Sequence, residues 1–424
     1  MGSEISITKD IKVSKEKAAM WAGIILTLLM AMTNGEVKII NTIYVVLTFA
    51  GILVFPLSFS LASMAGVAIY LGYSYIELTT HIPFIQSAHT FQNFFYIIVM
   101  VKIFYEEGIE FLWQARKSII LFMVYITFTY LGVTKSYIVF FREIGMVYTL
   151  LWLFYDISKK GERSKMFMQA FMIILISVFI YNPLHNITEA SNSARFAGVR
   201  DANNFSICCN VSLVFLLFMD NFKKLALPIA VMVIGCLLTV SVSGMVCMIA
   251  IFSVYFLFKK GTMTAVVFIG IVIIVALMFG PIVSVIDAMN IPFLDAYIGR
   301  ISDITHQLSL GNYDVATTSR TFLWELHMKI FNNLPTYKQY FGDPYFMSEL
   351  LTDEGILAPH NSFIDMLYSM GYIGTGLFLL VAINTIIYYV KQKQPYFALI
   401  SFIFLVNAFF RSLSGFSLYF PILL

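Results

Sequence analysis

From Met263 to Val285 the chain runs 23 positions without one charged side chain. A bilayer's hydrocarbon core, roughly 30 Å thick, is crossed by about 20 residues of helix, and inside it each backbone N–H and C=O must find a partner within the segment. Comparable runs recur near 18–33, 39–56, 59–76, 90–105, 118–132, 137–155, 166–182, 204–220, 224–240, 242–258, 362–390 and 396–412. None shows the ten-residue alternation of a barrel strand. The pattern predicts an all-α, polytopic transmembrane bundle of about 11–14 helices. Composition excludes the soluble alternative, since 59% hydrophobic and 12% charged residues in 424 positions leave too little polar surface to cover the rest.

Lysine and arginine in short loops set orientation. The basic N-terminus (Lys9, Lys12, Lys15, Lys17), Arg116-Lys117, the cluster Lys159, Lys160, Arg163 and Lys165, the pairs Lys223-Lys224 and Lys259-Lys260, and Lys391 with Lys393 alternate onto one face, which is expected to be cytoplasmic. Residues 18–33 are read as a retained first helix rather than a cleaved signal peptide. The opposite face then carries a short loop, 183–203, and a long one, 286–361, the latter with four basic against nine acidic residues. The expected organisation is N-terminal helices over 1–182, the short external loop 183–203, central helices over 204–285, the large external loop 286–361 and C-terminal helices over 362–424. A net charge of +3, dispersed in short loops, gives no nucleic-acid partner.

Four cysteines, Cys208, Cys209, Cys236 and Cys247, lie within apolar segments without zinc-cluster spacing and read as small buried hydrophobes. No nucleotide-sugar carboxylate motif, no phosphate-cradling glycine loop and no metal-spaced His or Cys pair stands out. Within the long loop, residues 320–331 carry apolar side chains at helical spacing, with Thr317, Thr318 and Ser319 as candidate caps and Pro335 limiting the far end. This predicts an amphipathic helix lying along the bundle or roofing a cavity. At its start Arg320 has a guanidinium suited to bidentate phosphate contact, against the simpler reading of a solvated surface arginine.

The polar pair His360-Asn361 runs directly into the apolar segment Ser362 to Gly374, placing an imidazole, with an ordinary pKa of about 6.5, at a membrane mouth. A helix-capping role is the simpler alternative. His81, His89, His185, His306 and His327 read as structural, with His327 a candidate partner behind the site. Lys102, Arg142, Glu143 and Arg411 fall in or near apolar runs but close enough to their ends to reach the interface.

The run His360 to Gly374 resembles the His-Asn signature of the bacterial O-antigen polymerase and O-antigen ligase superfamily, in which a histidine of the large external loop opens a helix with paired glycines. Ser319, Arg320 and Trp324 are similar to that superfamily's small residue, arginine and following aromatic. The stretch Arg195 to Asn204 resembles its arginine, glycine and Asp-Pro-Asn run, with Ala202 in the proline's place. Thr239 to Gly244 is similar to its Ser-Arg-Ser-Gly turn, but Val242 replaces the arginine. Phe341-Gly342-Asp343 is similar to a Gly-x-Gly turn and departs from it at Asp343-Pro344. The first 180 residues match in hydropathy alone.

The resemblance implies a membrane glycosyltransferase whose donor and acceptor are glycans on undecaprenyl pyrophosphate, joined at the outer face of the inner membrane. It implies catalytic roles for His360, Arg320 and Arg195, and substrate contacts from Arg200, Asn203, Trp324 and Asn361. Neither cofactor nor metal is expected; membrane lipids and a chain-length regulator are the further partners. A repeat-unit polymerase is favoured because the motifs are strongly divergent. A ligase transferring the glycan to a lipid A core, and a transporter of lipid-linked sugars, are the alternatives.

Overall fold

The computed structural model describes residues 2–33, 37–71, 78–114, 117–133, 137–158, 162–186, 202–219, 226–239, 241–277, 306, 310–311, 320–344, 346, 350 and 356–410. Among them are sixteen α-helices and no strand, so the all-α expectation holds. In order they are α1 (Gly2–Met32), α2 (Lys38–Val54), α3 (Leu57–Gly66), α4 (Ala88–Glu107), α5 (Glu110–Gln114), α6 (Lys117–Val133), α7 (Tyr137–Ser158), α8 (Glu162–Asn186), α9 (Ala202–Met219), α10 (Ala226–Leu238), α11 (Val242–Lys259), α12 (Thr262–Leu277), α13 (Arg320–Asn332), α14 (Thr336–Phe341), α15 (Ser362–Lys391) and α16 (Pro395–Phe410). Twelve of the thirteen predicted crossings coincide with a helix to within a few residues at most ends; α1 reaches back to Gly2, well before its apolar run. The predicted crossing 59–76 is interrupted, because α3 passes into a π-helical turn, Val67–Leu71.

The helices form two compact units, α1–α8 and α9–α16. In the first, α1 and α3 meet through small residues. A Cβ on Gly23 would stand 2.9 Å from Ala62 Cβ, and Leu57 to Gly66 are buried throughout. Close backbone approach of this kind replaces the hydrophobic drive that lipid removes. Arg163 on α8 ties the unit together at one end: its Nη2 lies 3.0 Å from Glu16 of α1 and 3.2 Å from Glu106 of α4, and its Nη1 pairs with Glu107. Lys102, a suspect from the sequence, pairs with Glu106 one turn along α4 at 3.0 Å.

In the second unit the seam is polar and uncharged. Asn210 of α9 donates to the Gly244 carbonyl of α11 at 3.0 Å, and Ser243 donates to Asn407 Oδ1 of α16 at 2.9 Å. All four cysteines are buried thiols outside any disulfide, as their apolar surroundings predict. On α12, Val266, Ile269, Ile271 and Ile274 point outward. A soluble surface does not tolerate such a stripe, whereas lipid does. Among the described residues, helices α11 and α15 are each long and apolar enough to cross a bilayer, and nine shorter apolar helices accompany them. The chain is an all-α helical membrane protein.

One predicted crossing, 362–390, is not the single rod its hydropathy suggests. Gly371 interrupts α15 with φ 64° and ψ −171°, a conformation essentially reserved for glycine.

Candidate active site

Helix α13 carries Arg320, Trp324, His327 and Phe331 at spacings of four, three and four, which puts them on one stripe. The stripe faces inward, with His327 and Phe331 fully buried. Phe331 forms a core with Leu350, Ile364 and Tyr368, and Trp324, Met328, Phe346 and Ile356 pack around it. The rings of Phe331 and Tyr368 meet edge-to-face at 5.5 Å. Helix α13 is thus anchored on the first turns of α15, whose N-cap, Asn361, follows His360.

Polar bonds refine that docking. Trp324 Nε1 donates to the Pro359 carbonyl at 2.8 Å, and the Trp324 ring meets Phe409 of α16 edge-on at 5.2 Å. His327 Nε2 lies 2.8 Å from the Leu357 carbonyl. A carbonyl only accepts, so the His327 proton sits on Nε2. Its Nδ1 is buried without a hydrogen-bond partner. Burial pushes the His327 ring below the usual histidine range, opposed by the bond to Leu357. Tyr368 returns the contact, donating to the His327 carbonyl at 2.7 Å.

His360 is exposed and has φ 51°, in the left-handed region that side chains other than glycine seldom occupy. Such a backbone costs about 1–2 kcal/mol and persists where neighbours hold it. Asn361 does part of the holding. It is buried and caps α15, its Oδ1 accepting from Phe363 N at 2.9 Å and Ile364 N at 3.4 Å. The helix-capping role weighed for His360 therefore falls to its neighbour, leaving the imidazole on the surface.

At its far end the same piece of helix is pinned by α14. Gly342, with φ 82°, and Gly371 cross so closely that a Cβ on Gly342 would stand 2.6 Å from Gly371 N. The Tyr368 carbonyl, taken out of the helical ladder by the break at Gly371, accepts from Asp343 N at 2.6 Å. Lys338 pairs with Asp343 at 2.9 Å and stands 5.4 Å from the Phe346 ring centroid. The segment 361–371 is capped at one end, clamped at the other and covered along its side.

The structure therefore brings together Trp324, Asn361 and the backbone on either side of His360, with Arg320 half-buried one turn before Trp324 on the same stripe. Arg195 and Arg200 lie outside the described residues, as do Ser319 and Arg411. Asn203 stands in the first turn of α9, where its carbonyl accepts from Ser206 at 2.7 Å. The turn Ser241 to Gly244, whose arginine is absent, serves as a joint: Ser241 caps α11 by accepting from Gly244 N at 3.2 Å, and a Cβ on Gly244 would press on Ser206 at 2.7 Å. The sequence assigns Tyr368 no role of its own, and it sets Gly342 and Gly371 in separate motifs without pairing them. The glycines did carry a signal, as neither Gly342 nor Gly371 ends a helix that hydropathy would predict.

Residues 227–379 match the family described as O-antigen ligase. That segment is an O-antigen ligase family domain. It runs from α10 to the middle of α15 and contains α13, α14 and the first turns of α15 around His360, whereas Phe409 of α16 lies beyond it. The match over this segment supports the superfamily of O-antigen ligases and polymerases, in agreement with the motif resemblance. No curated protein and no solved structure matches the chain.

Proposed function

We propose that this chain is a glycosyltransferase of the bacterial inner membrane that polymerises glycan repeat units carried on undecaprenyl pyrophosphate. The observation that carries the reading is the presentation of His360: exposed, left-handed in backbone, and fixed between a capped helix and the stripe of α13 that bears Arg320. In the reaction His360 takes the proton of the acceptor sugar hydroxyl as that oxygen attacks the donor's anomeric carbon. The new glycosidic C–O bond forms as the C–O bond to pyrophosphate breaks, and the lipid pyrophosphate departs as the anion. Arg320, and Arg195 of the short external loop, stabilise the charge that collects on it. A positioned base contributes roughly 10²–10⁴ in rate.

The distribution of basic residues supports a cytoplasmic N-terminus and chemistry on the external face. Polymerase is preferred because the motifs depart from the superfamily pattern at Ala202, Val242 and Asp343-Pro344, as befits an enzyme fitted to one repeat unit. The ligase, with a lipid A core as acceptor, is the second reading and is favoured by the description of the matching family.

Deleting the gene from its host and following glycan length tests both. Single repeat units that only wild type, and not His360→Ala, extends into long chains support the polymerase. Long glycan stranded on the carrier lipid identifies a ligase, and an unchanged distribution refutes both.

A further inference from the structure

The residue on which the chemistry turns has a backbone that cannot hold itself in place. His360 lies at φ 51° between Leu357, Pro359 and Asn361, and each of those three is bonded to something rigid. Two of the bonds come from one helix. Trp324 Nε1 reaches the Pro359 carbonyl and His327 Nε2 the Leu357 carbonyl, each at 2.8 Å. Indole has a single N–H donor, so Trp324, assigned from its motif to the sugar, has already given that donor to the protein. Its ring is engaged with Phe409 as well. His327 is fully buried, and its Nδ1 is unpartnered. Leaving a buried acceptor unsatisfied carries a penalty, which a plain packing residue at this position would avoid.

We propose that Trp324 and His327 are positioning residues for His360: from one face of α13 they hold the carbonyls before it and thereby fix where its imidazole stands against the acceptor hydroxyl. Trp324 then serves the reaction without hydrogen-bonding the glycan. The proposal rests on the reading of His360 as the base.

Full-length protein in nanodiscs tests it, assayed with undecaprenyl-pyrophosphate-linked oligosaccharide extracted from a host lacking this chain. Trp324→Phe keeps an aromatic ring on the Phe409 side and removes the N–H donor together with part of the indole's volume; His327→Phe deletes the second donor, whereas His327→Gln keeps one. The expected result is a fall in kcat of about 10–100-fold for Trp324→Phe and His327→Phe, the scale of a reacting group displaced by about an ångström. KM stays at its wild-type value and His327→Gln recovers most of the loss. Amide exchange across 356–361, measured on the same samples, rises in the two donor-deleted variants. A raised KM at wild-type kcat in Trp324→Phe makes the indole a glycan contact and overturns the proposal. Wild-type exchange across 356–361 in both variants overturns it whatever the activity. Full activity in His360→Ala removes the base instead, and the exchange data still report whether the brace exists.

Discussion

Replacing Gly371 by alanine tests the clamp that ends the His360 segment. The new Cβ would overlap the Tyr340 carbonyl and stand 2.6 Å from Phe341 N, both backbone atoms of α14 that cannot swing aside. Overpacking of this kind costs about 1–3 kcal/mol, and the glycine-only backbone, with φ 64° and ψ −171°, adds about 1–3 kcal/mol. The bond from Asp343 N to the Tyr368 carbonyl is at risk too, for roughly 0.5–1.5 kcal/mol. The sum is about 2.5–7.5 kcal/mol, against total stabilities of about 5–15 kcal/mol for ordinary domains. Gly376 is the internal control: it sits in the same helix, and a Cβ there would meet nothing within 4 Å. Gly376→Ala should be neutral or gain about 0.5–1 kcal/mol from the loss of glycine's backbone entropy. Both variants are made in detergent and compared by thermal melting and by protease cleavage within 336–350. Gly371→Ala is expected to melt lower and to release α14 to protease, whereas Gly376→Ala matches wild type. Equal behaviour of the two would refute the crossed-backbone clamp.

Asn361→Ala removes both acceptor contacts at the start of α15 and should lower stability by about 1 kcal/mol; an unchanged melting curve would show that the cap is dispensable. His327 predicts a pH dependence. Its folded pKa is lowered, so below about pH 6.5 the unfolded chain binds the extra proton first and the contribution of the neutral ring is lost as pH falls toward the folded value. Melting between pH 7.5 and 5 should show that loss in wild type and less of it in His327→Gln. Removing the guanidinium with Arg163→Gln leaves Glu16, Glu106 and Glu107 facing one another and should destabilise the α1–α8 unit by roughly 2–3 kcal/mol, below the 3–5 kcal/mol of a fully buried pair because the cluster is partly solvated. Adding Glu107→Gln should recover part of that, and a double variant no more stable than the single one would argue against charge crowding.

Much of the architecture was legible in the chain because the property that decides it is local. Twenty apolar residues in a row must be helical in a bilayer whatever surrounds them, so α2, α4, α6 and α11 fall where hydropathy puts them. The amphipathic helix α13 was equally plain from spacing, and so were its end before Pro335 and the burial of the cysteines. His360 and Arg320 stood out by chemistry, one as a titratable ring at a helix mouth and the other as a cation beside an aromatic.

What those residues do to one another is a different matter. The bond from Trp324 to Pro359 spans 35 positions, that from Tyr368 to His327 spans 41, and the link from Ser243 to Asn407 spans 164. No periodicity encodes such pairings. Hydropathy averages over a window and cannot register one glycine with a positive φ, so it drew α15 as a single rod across the break at Gly371. By itself the sequence determined the helices, their lipid-facing surfaces and the residue types available for chemistry, all of which follow from short-range sterics and transfer free energy. Only the tertiary structure decided that Asn361 caps while His360 stays exposed, and that α13 holds the backbone ahead of it, because each depends on which distant groups remain to satisfy a buried donor or acceptor once the chain has packed.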